Sequence, residues 1–159
     1  MTLGLLSLGA ALGALPRGVR AAVRPYEVAF SDAQWRARLQ PEQYAVLRQS
    51  GTEAPESSPL DREHRPGSYA CAGCALAVFD AKTKFDSGTG WPSFYAPIAN
   101  AVATSSDSSL FEMRTEVHCR RCGSHLGHVF NDGPQPTGLR YCMNGVALTF
   151  RAARSRRTV

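Results

Sequence analysis

Cys119-Arg120-Arg121-Cys122 runs straight into Gly123-Ser124-His125-Leu126-Gly127-His128, and the fold turns on how this stretch is read. Two residues between the thiols let both sulfurs reach one ion, while the turn between them donates backbone N–H groups to the sulfurs. A second pair with the same spacing, Cys71-Ala72-Gly73-Cys74, lies earlier in the chain. Two such knuckles complete a tetrahedral sulfur shell, the preferred closed site for one structural zinc ion. The stretch between them is longer than in common zinc ribbons, so a whole β-layer must loop out from the metal. Two disulfides, or one redox-active C-x-x-C, are the alternatives. The doubled spacing favours zinc, and four thiolates would leave it no open position for chemistry.

Just beyond the second knuckle, His125 and His128 form H-x-x-H. That spacing is unspecific by itself: it serves a metal, a satisfied core histidine, or an acid that assists a nearby thiol. Such a thiol exists, because the fifth cysteine, Cys142, has no partner in the knuckles. In Arg140-Tyr141-Cys142-Met143-Asn144, strand alternation puts Arg140, Cys142 and Asn144 on one face. The same face continues as Val146, Leu148 and Phe150 in a core pattern. A thiol flanked by a guanidinium and an amide is not placed as a core cysteine, and the adjacent positive charge favours the reactive thiolate. Asp86-Ser87-Gly88-Thr89-Gly90-Trp91-Pro92-Ser93-Phe94 reads as a Gly-rich turn opening onto an aromatic wall. Trp91 and Phe94 either fill the core or line an apolar pocket for a methyl-bearing substrate.

The rest of the chain reads as short strands and turns. Ser31-Asp32-Ala33-Gln34 has the form of a capping box, predicting a short helix through Trp35 and Leu39. Pro41 suits the first position of a second helix, through Tyr44 and Leu47, with Gly51 placed to end it. Residues 52–66 are polar and rich in Pro and Ser, a loop; strands are expected at 67–70, 77–79, 110–117 and 139–150. The organisation is then a targeting segment over 1–22, a helical appendix of the same domain over 23–51, a catalytic β-domain over 52–151 and a basic tail over 152–159.

The totals agree with one globular domain: 159 residues, 43% hydrophobic and 19% charged, with 14 Gly and 10 Pro. The net charge of +5 comes partly from Arg151, Arg154, Arg156 and Arg157, the pattern of a solvated end. The apolar run over 3–15 is too short to span a bilayer, so no stable membrane insertion is expected. It resembles an export signal without the usual leading positive charge; with Arg17, Arg20 and Arg24 before the first acid, Glu27, a mitochondrial presequence competes, and a cytoplasmic location is the third option.

Taken in order, these segments resemble the type B methionine sulfoxide reductases, enzymes selective for the R epimer of the sulfoxide. The matching residues are Pro41-Glu42-Gln43-Tyr44, Gly51-Thr52-Glu53, Gly67-x-Tyr69-x-Cys71-x-x-Cys74 and Phe85-Asp86-Ser87-Gly88-x-Gly90-Trp91-Pro92-Ser93-Phe94. They continue with Arg114-x-Glu116-Val117-x-Cys119-x-x-Cys122, His125-Leu126-Gly127-His128-Val129-Phe130-x-Asp132-Gly133-Pro134 and Gly138-x-Arg140-Tyr141-Cys142-x-Asn144. The resemblance implies a mainly β fold of two antiparallel sheets, tent-like, with short N-terminal helices and zinc on the side away from the catalytic cysteine. It also implies that Cys142 attacks the sulfoxide sulfur and that Trp91, with Phe94 beside it, walls the methyl pocket. His125 and His128 would bring a proton to the departing oxygen, and Arg140 and Asn144 would position and polarise Cys142.

Many members carry a resolving cysteine where this chain has Thr89. With four cysteines in the zinc site no spare thiol is left, which predicts a one-cysteine cycle regenerated by thioredoxin or another external thiol. Glu56 in place of the usual Phe leaves the packing of the 52–66 loop open, and Asn131, Met143 and Gly145 are milder departures. The substrate is then oxidised methionine, free or in proteins, handled by a monomer. Two rival classes are a zinc-stapled binding module and a thiol-disulfide oxidoreductase working through C-x-x-C. A nucleic-acid partner is not expected, because the aromatics do not interleave with Lys and Arg as stacking platforms do.

Overall fold

The computed structural model describes residues 26–109 and 113–154. The targeting segment and the end of the basic tail lie outside the described residues, as do the first three positions of the strand expected at 110–117.

Both helices form where their start signals place them. In α1 (Asp32–Arg38), Ser31 Oγ accepts from Gln34 N–H while Gln34 Oε1 accepts from Ser31 N–H, the reciprocal capping box. α2 (Pro41–Gln49) opens on its proline and ends on Ser50, which takes the left-handed conformation at φ 54°. The left-handed residue is therefore Ser50 and not Gly51. Gly51 is needed for another reason, since a Cβ there would lie 2.9 Å from the Ala45 carbonyl oxygen. Trp35, Tyr44, Val46 and Leu47 bury the inner faces of the two helices against the β-body.

The β-body consists of two antiparallel sheets. The smaller has the order β2-β1-β9, from β1 (Gly67–Cys71), β2 (Ala77–Asp80) and β9 (Leu148–Ala152). The larger has the order β3-β4-β8-β7-β6-β5. It comprises β3 (Lys84–Phe85), β4 (Ser93–Phe94), β5 (Val102–Asp107), β6 (Arg114–Cys119), β7 (His125–Phe130) and β8 (Arg140–Met143). Tyr69, Val78, Phe79, Phe94, Val117, Leu126 and Met143 fill the space between them, all at 0% exposure.

Two differences from the sequence reading matter for the site. The strand expected over 139–150 is two strands in different sheets, broken by a 3-10 turn at Gly145–Ala147. Asn144 sits at the break, where its N–H and its side-chain Nδ2 both donate to the Leu126 carbonyl oxygen, at 2.9 and 3.1 Å. The single face running from Cys142 to Phe150 therefore does not exist. In addition, β5 and β7 are full strands, although β7 carries two histidines and a glycine that obscure its apolar alternation.

The knuckles lie at the corners where the sheets meet. Cys71 ends β1 and Cys119 ends β6, so the two pairs arrive from different sheets. Arg48 ties α2 to this corner by donating to the Cys122 carbonyl oxygen at 3.2 Å and to Ser124 Oγ at 3.3 Å.

Candidate active site

The sulfurs of Cys71, Cys74, Cys119 and Cys122 all lie within 4.8 Å of one another. The approaches of 3.7 Å for Cys71–Cys122 and 3.5 Å for Cys74–Cys119 are far from a disulfide bond. They are close to the edge of a tetrahedral ZnS4 shell, about 3.8 Å for metal–sulfur bonds of about 2.3 Å. Four soft donors converge from two sheets at a largely buried corner, so this group is positioned to bind a metal ion. Among the described residues it is the one such group; the His125–His128 pair does not belong to it.

Cys142 stands apart from that cluster, half-buried in β8 near the middle of the larger sheet. It lines a cavity of about 150 Å³ together with Thr52, Trp91, Arg114, Gly127, His128, Phe130, Met143 and Asn144. Cys142 pairs with His128 across the β7–β8 ladder and with Ser93 across the β4–β8 ladder. Gly127 permits the close approach of β7 to β8, because a Cβ there would sit 2.1 Å from the Cys142 carbonyl oxygen.

Burial pushes the Cys142 thiol above its ordinary pKa; Thr89, Arg140 and Ser93 pull it down without overcoming the burial. The expected thiolate-favouring balance is thus reversed in the resting protein. The reason is the burial of the sulfur; Arg140 still lowers the value, while its guanidinium also binds Asp132 through two hydrogen bonds of 2.9 and 2.8 Å and lies 4.5 Å from the centroid of the Phe130 ring. A chain of hydroxyls reaches the sulfur from the Gly-rich turn: Ser93 Oγ to Ser87 Oγ at 2.7 Å, Ser87 to Thr89 Oγ1 at 2.8 Å, and Thr89 to Cys142 Sγ at 4.0 Å.

The two histidines are held by two carboxylates. His128 Nε2 lies 2.7 Å from Asp107 Oδ2, and the same oxygen accepts from Arg114 Nη2 at 2.6 Å. Ser109, His128 and Arg114 together hold the Asp107 carboxyl well below the usual carboxylate range, Ser109 contributing most. His125 Nδ1 lies 2.8 Å from Glu116 Oε1, while burial pushes its pKa down against the pull of that carboxylate. His125 does not line the Cys142 cavity. It faces a neighbouring polar recess with Ser50, Asp107, Ser109 and Glu116, because a spacing of three residues on a strand does not stack two side chains together. The rings still lie edge to face, with centroids 5.4 Å apart.

Of the pocket aromatics, Trp91 lines the cavity and donates from Nε1 to the Glu53 carbonyl oxygen at 3.1 Å. Phe94 does not line it. Its side chain is fully buried, stacked on Phe79 at 4.3 Å and edge-on to Tyr69 at 4.9 Å, which makes it a core residue. Phe130 takes the aromatic place instead, two residues beyond His128 on β7, a neighbour that strand alternation predicts once β7 is recognised. Arg114 and Thr52 are further lining residues; both stand in the segments that carry the family resemblance, which gave them no role.

An antiparallel two-sheet domain with a sulfur cluster at one corner and a single recessed thiol elsewhere defines a thiol protein with a separate metal-binding centre. A family model described as the SelR domain matches residues 39–152. The chain is 51% identical over 127 residues to the peptide methionine sulfoxide reductase MsrB of Leptospira interrogans serovar Lai, covering 79% of this chain and 97% of that one. It is 57% identical over 119 residues to the MsrB of Pseudomonas putida strain F1, covering 74% and 91%. With the MsrB of Cellvibrio japonicus the identity is 55% over 120 residues, covering 75% and 86%. The chain belongs to the SelR-domain family, that of the MsrB proteins.

Proposed function

We propose that the protein reduces the R epimer of methionine sulfoxide to methionine, with Cys142 as the nucleophile. The observation that carries this reading is the meeting of Cys142, the one thiol outside the sulfur cluster, with Trp91 and His128 around a small cavity in a member of this family.

In this reaction the Cys142 sulfur attacks the sulfoxide sulfur while the sulfoxide oxygen takes up a proton. The oxygen then passes to the Cys142 sulfur: a Cys142 S–O bond forms, the substrate's S–O bond and the bond made on attack both break, methionine leaves as the thioether, and Cys142 is left as a sulfenic acid. The thiol's own proton must leave sulfur as the new bond forms, and the one proton taken up by oxygen closes the count at the sulfenic acid. His128 lines the cavity and delivers a proton to the departing oxygen; His125, set behind it on Glu116, acts through His128. Thr89 and Arg140 favour negative charge on Cys142 during attack. Trp91, with Phe130, walls the apolar end that receives the methyl group, and Asn144 borders the sulfur.

Two external thiol groups, both supplied by one molecule of a dithiol such as thioredoxin, then convert the sulfenic acid back to thiol, releasing water and leaving the reductant as a disulfide. The substrate is oxidised methionine, free or within proteins. One zinc ion bound by Cys71, Cys74, Cys119 and Cys122 would supply a structural cross-link between the sheets and take no part in the chemistry.

The test is reduction of each epimer of a blocked methionine sulfoxide with dithiothreitol, by the wild type and by Cys142→Ser. Turnover of the R epimer alone, abolished by the substitution, is the expected result. Absence of turnover in folded, zinc-loaded protein would overturn the catalytic reading.

A further inference from the structure

Glu53 does not line the cavity, yet one residue touches both of its sides. Its backbone N–H donates to Asn144 Oδ1 at 2.9 Å, and its carbonyl oxygen accepts from Trp91 Nε1 at 3.1 Å. Its carboxylate accepts from the backbone N–H of Gly145 at 2.5 Å and of Val146 at 2.8 Å. The side chain thus grips the turn that follows Cys142 and Asn144, while the main chain of the same residue holds the indole.

Placing a half-buried carboxylate on two main-chain amides is costly unless both bonds are made, so these bonds have a defined geometry. The approach also demands glycine at 145: a Cβ there would lie 2.0 Å from Ser58 Oγ and 3.2 Å from Glu53 Oε1. Trp91 by contrast has soft freedom about its ring torsion, which the bond from its N–H removes. Asn144 is fixed on its other side by Leu126. The distance between indole and amide therefore depends on where residue 53 sits, and its carboxylate sets that.

We propose that Glu53 is a positioning residue that clamps Trp91 against the Asn144–Val146 turn and so sets the width of the methyl-accepting end of the cavity. This rests on the reductase reading of that cavity. Glu53→Gln keeps one acceptor oxygen and turns an amide donor toward the second N–H; Glu53→Ala removes both acceptors. A looser indole admits a larger alkyl group, and one methylene in a rigid apolar pocket is worth a discrimination of about tenfold or more.

The experiment compares blocked methionine sulfoxide with blocked ethionine sulfoxide for the full-length wild type, Glu53→Gln and Glu53→Ala. Hydrogen exchange of the Trp91 indole N–H, assigned by its loss in Trp91→Phe, is followed by NMR in the same proteins. The expected outcome is a methyl-over-ethyl preference that falls in the order wild type, Gln, Ala, to about threefold or less in the last. That loss is carried mainly by KM for the methyl substrate, and the indole exchanges faster in the same order. A purely structural role would lower both activities in proportion and leave their ratio unchanged, which overturns the proposal. The two possible failures separate, because the indole measurement needs no substrate. Unchanged exchange in both variants overturns the clamp, whereas a wild type that reduces neither sulfoxide overturns the reductase reading.

Discussion

Thr89 places its hydroxyl 4.0 Å from the Cys142 sulfur, at the end of a hydroxyl chain that begins on Ser93. A sulfur at that position would be within reach of Cys142 after a small side-chain rotation. We expect Thr89→Cys to form an internal disulfide with Cys142 after one turnover without added reductant. The wild type should retain a sulfenic acid that a dimedone probe captures. Intact-mass analysis distinguishes the two states, and an internal disulfide involving Cys142 in the wild type would rule out the one-cysteine cycle.

Burial outweighs Arg140 and Thr89 at the Cys142 sulfur, so its thiolate fraction near neutral pH is smaller than that of an exposed cysteine. Alkylation of Cys142 by iodoacetamide should therefore still be rising at pH values above the usual cysteine pKa of about 8.5. Arg140→Met removes a group that lowers this pKa, so its profile should move further to the alkaline side and its rate at pH 7 should fall. A profile shifted to lower pH in the variant would reverse the assigned sign.

Phe94 and Trp91 are separated by three positions in sequence but do different work, and substitution should separate them. Phe94→Ala empties a site stacked on Phe79 and should cost about 3–5 kcal/mol of stability, with KM little changed where the protein remains folded. Trp91→Ala should raise KM with a much smaller loss of stability, since its ring borders the cavity. Denaturant unfolding and steady-state kinetics on the two variants provide the comparison.

Asp107 gives one oxygen to both His128 and Arg114. In Asp107→Asn the histidine loses its anionic partner and Arg114 loses its ion pair. A fall in kcat of roughly 10- to 100-fold is expected, with the fold intact by circular dichroism. If kcat is unchanged while KM rises, Asp107 serves Arg114 and substrate binding rather than His128.

Much of this was legible in the chain because it is written in local spacing. The C-x-x-C pairs, the capping box of α1 and the proline start of α2 are patterns completed within a few residues, and backbone geometry decides them. The sheet switch at Asn144 was not legible: 139–150 alternates well enough for one strand, and only bonds to Leu126 and Glu53, distant in sequence, break it. Phe94 is open between core and pocket in the sequence, because nearness to Trp91 along the chain does not tell which side of the sheet its ring takes; its full burial puts it in the core. Arg114 and Asp107 enter the site through cross-strand pairing, which no local period encodes.

The four-sulfur corner lies where β1 and β6 end, and β6 leads directly into the hairpin that carries His125 and His128. A zinc ion bound there would anchor the segment that leads within six residues to His128, the proposed proton donor. A chelating buffer would then register in an activity assay as an inhibitor although it touches no reacting atom. Its apparent potency would follow the speed at which the corner opens, rising with temperature and incubation time and indifferent to how much sulfoxide is present.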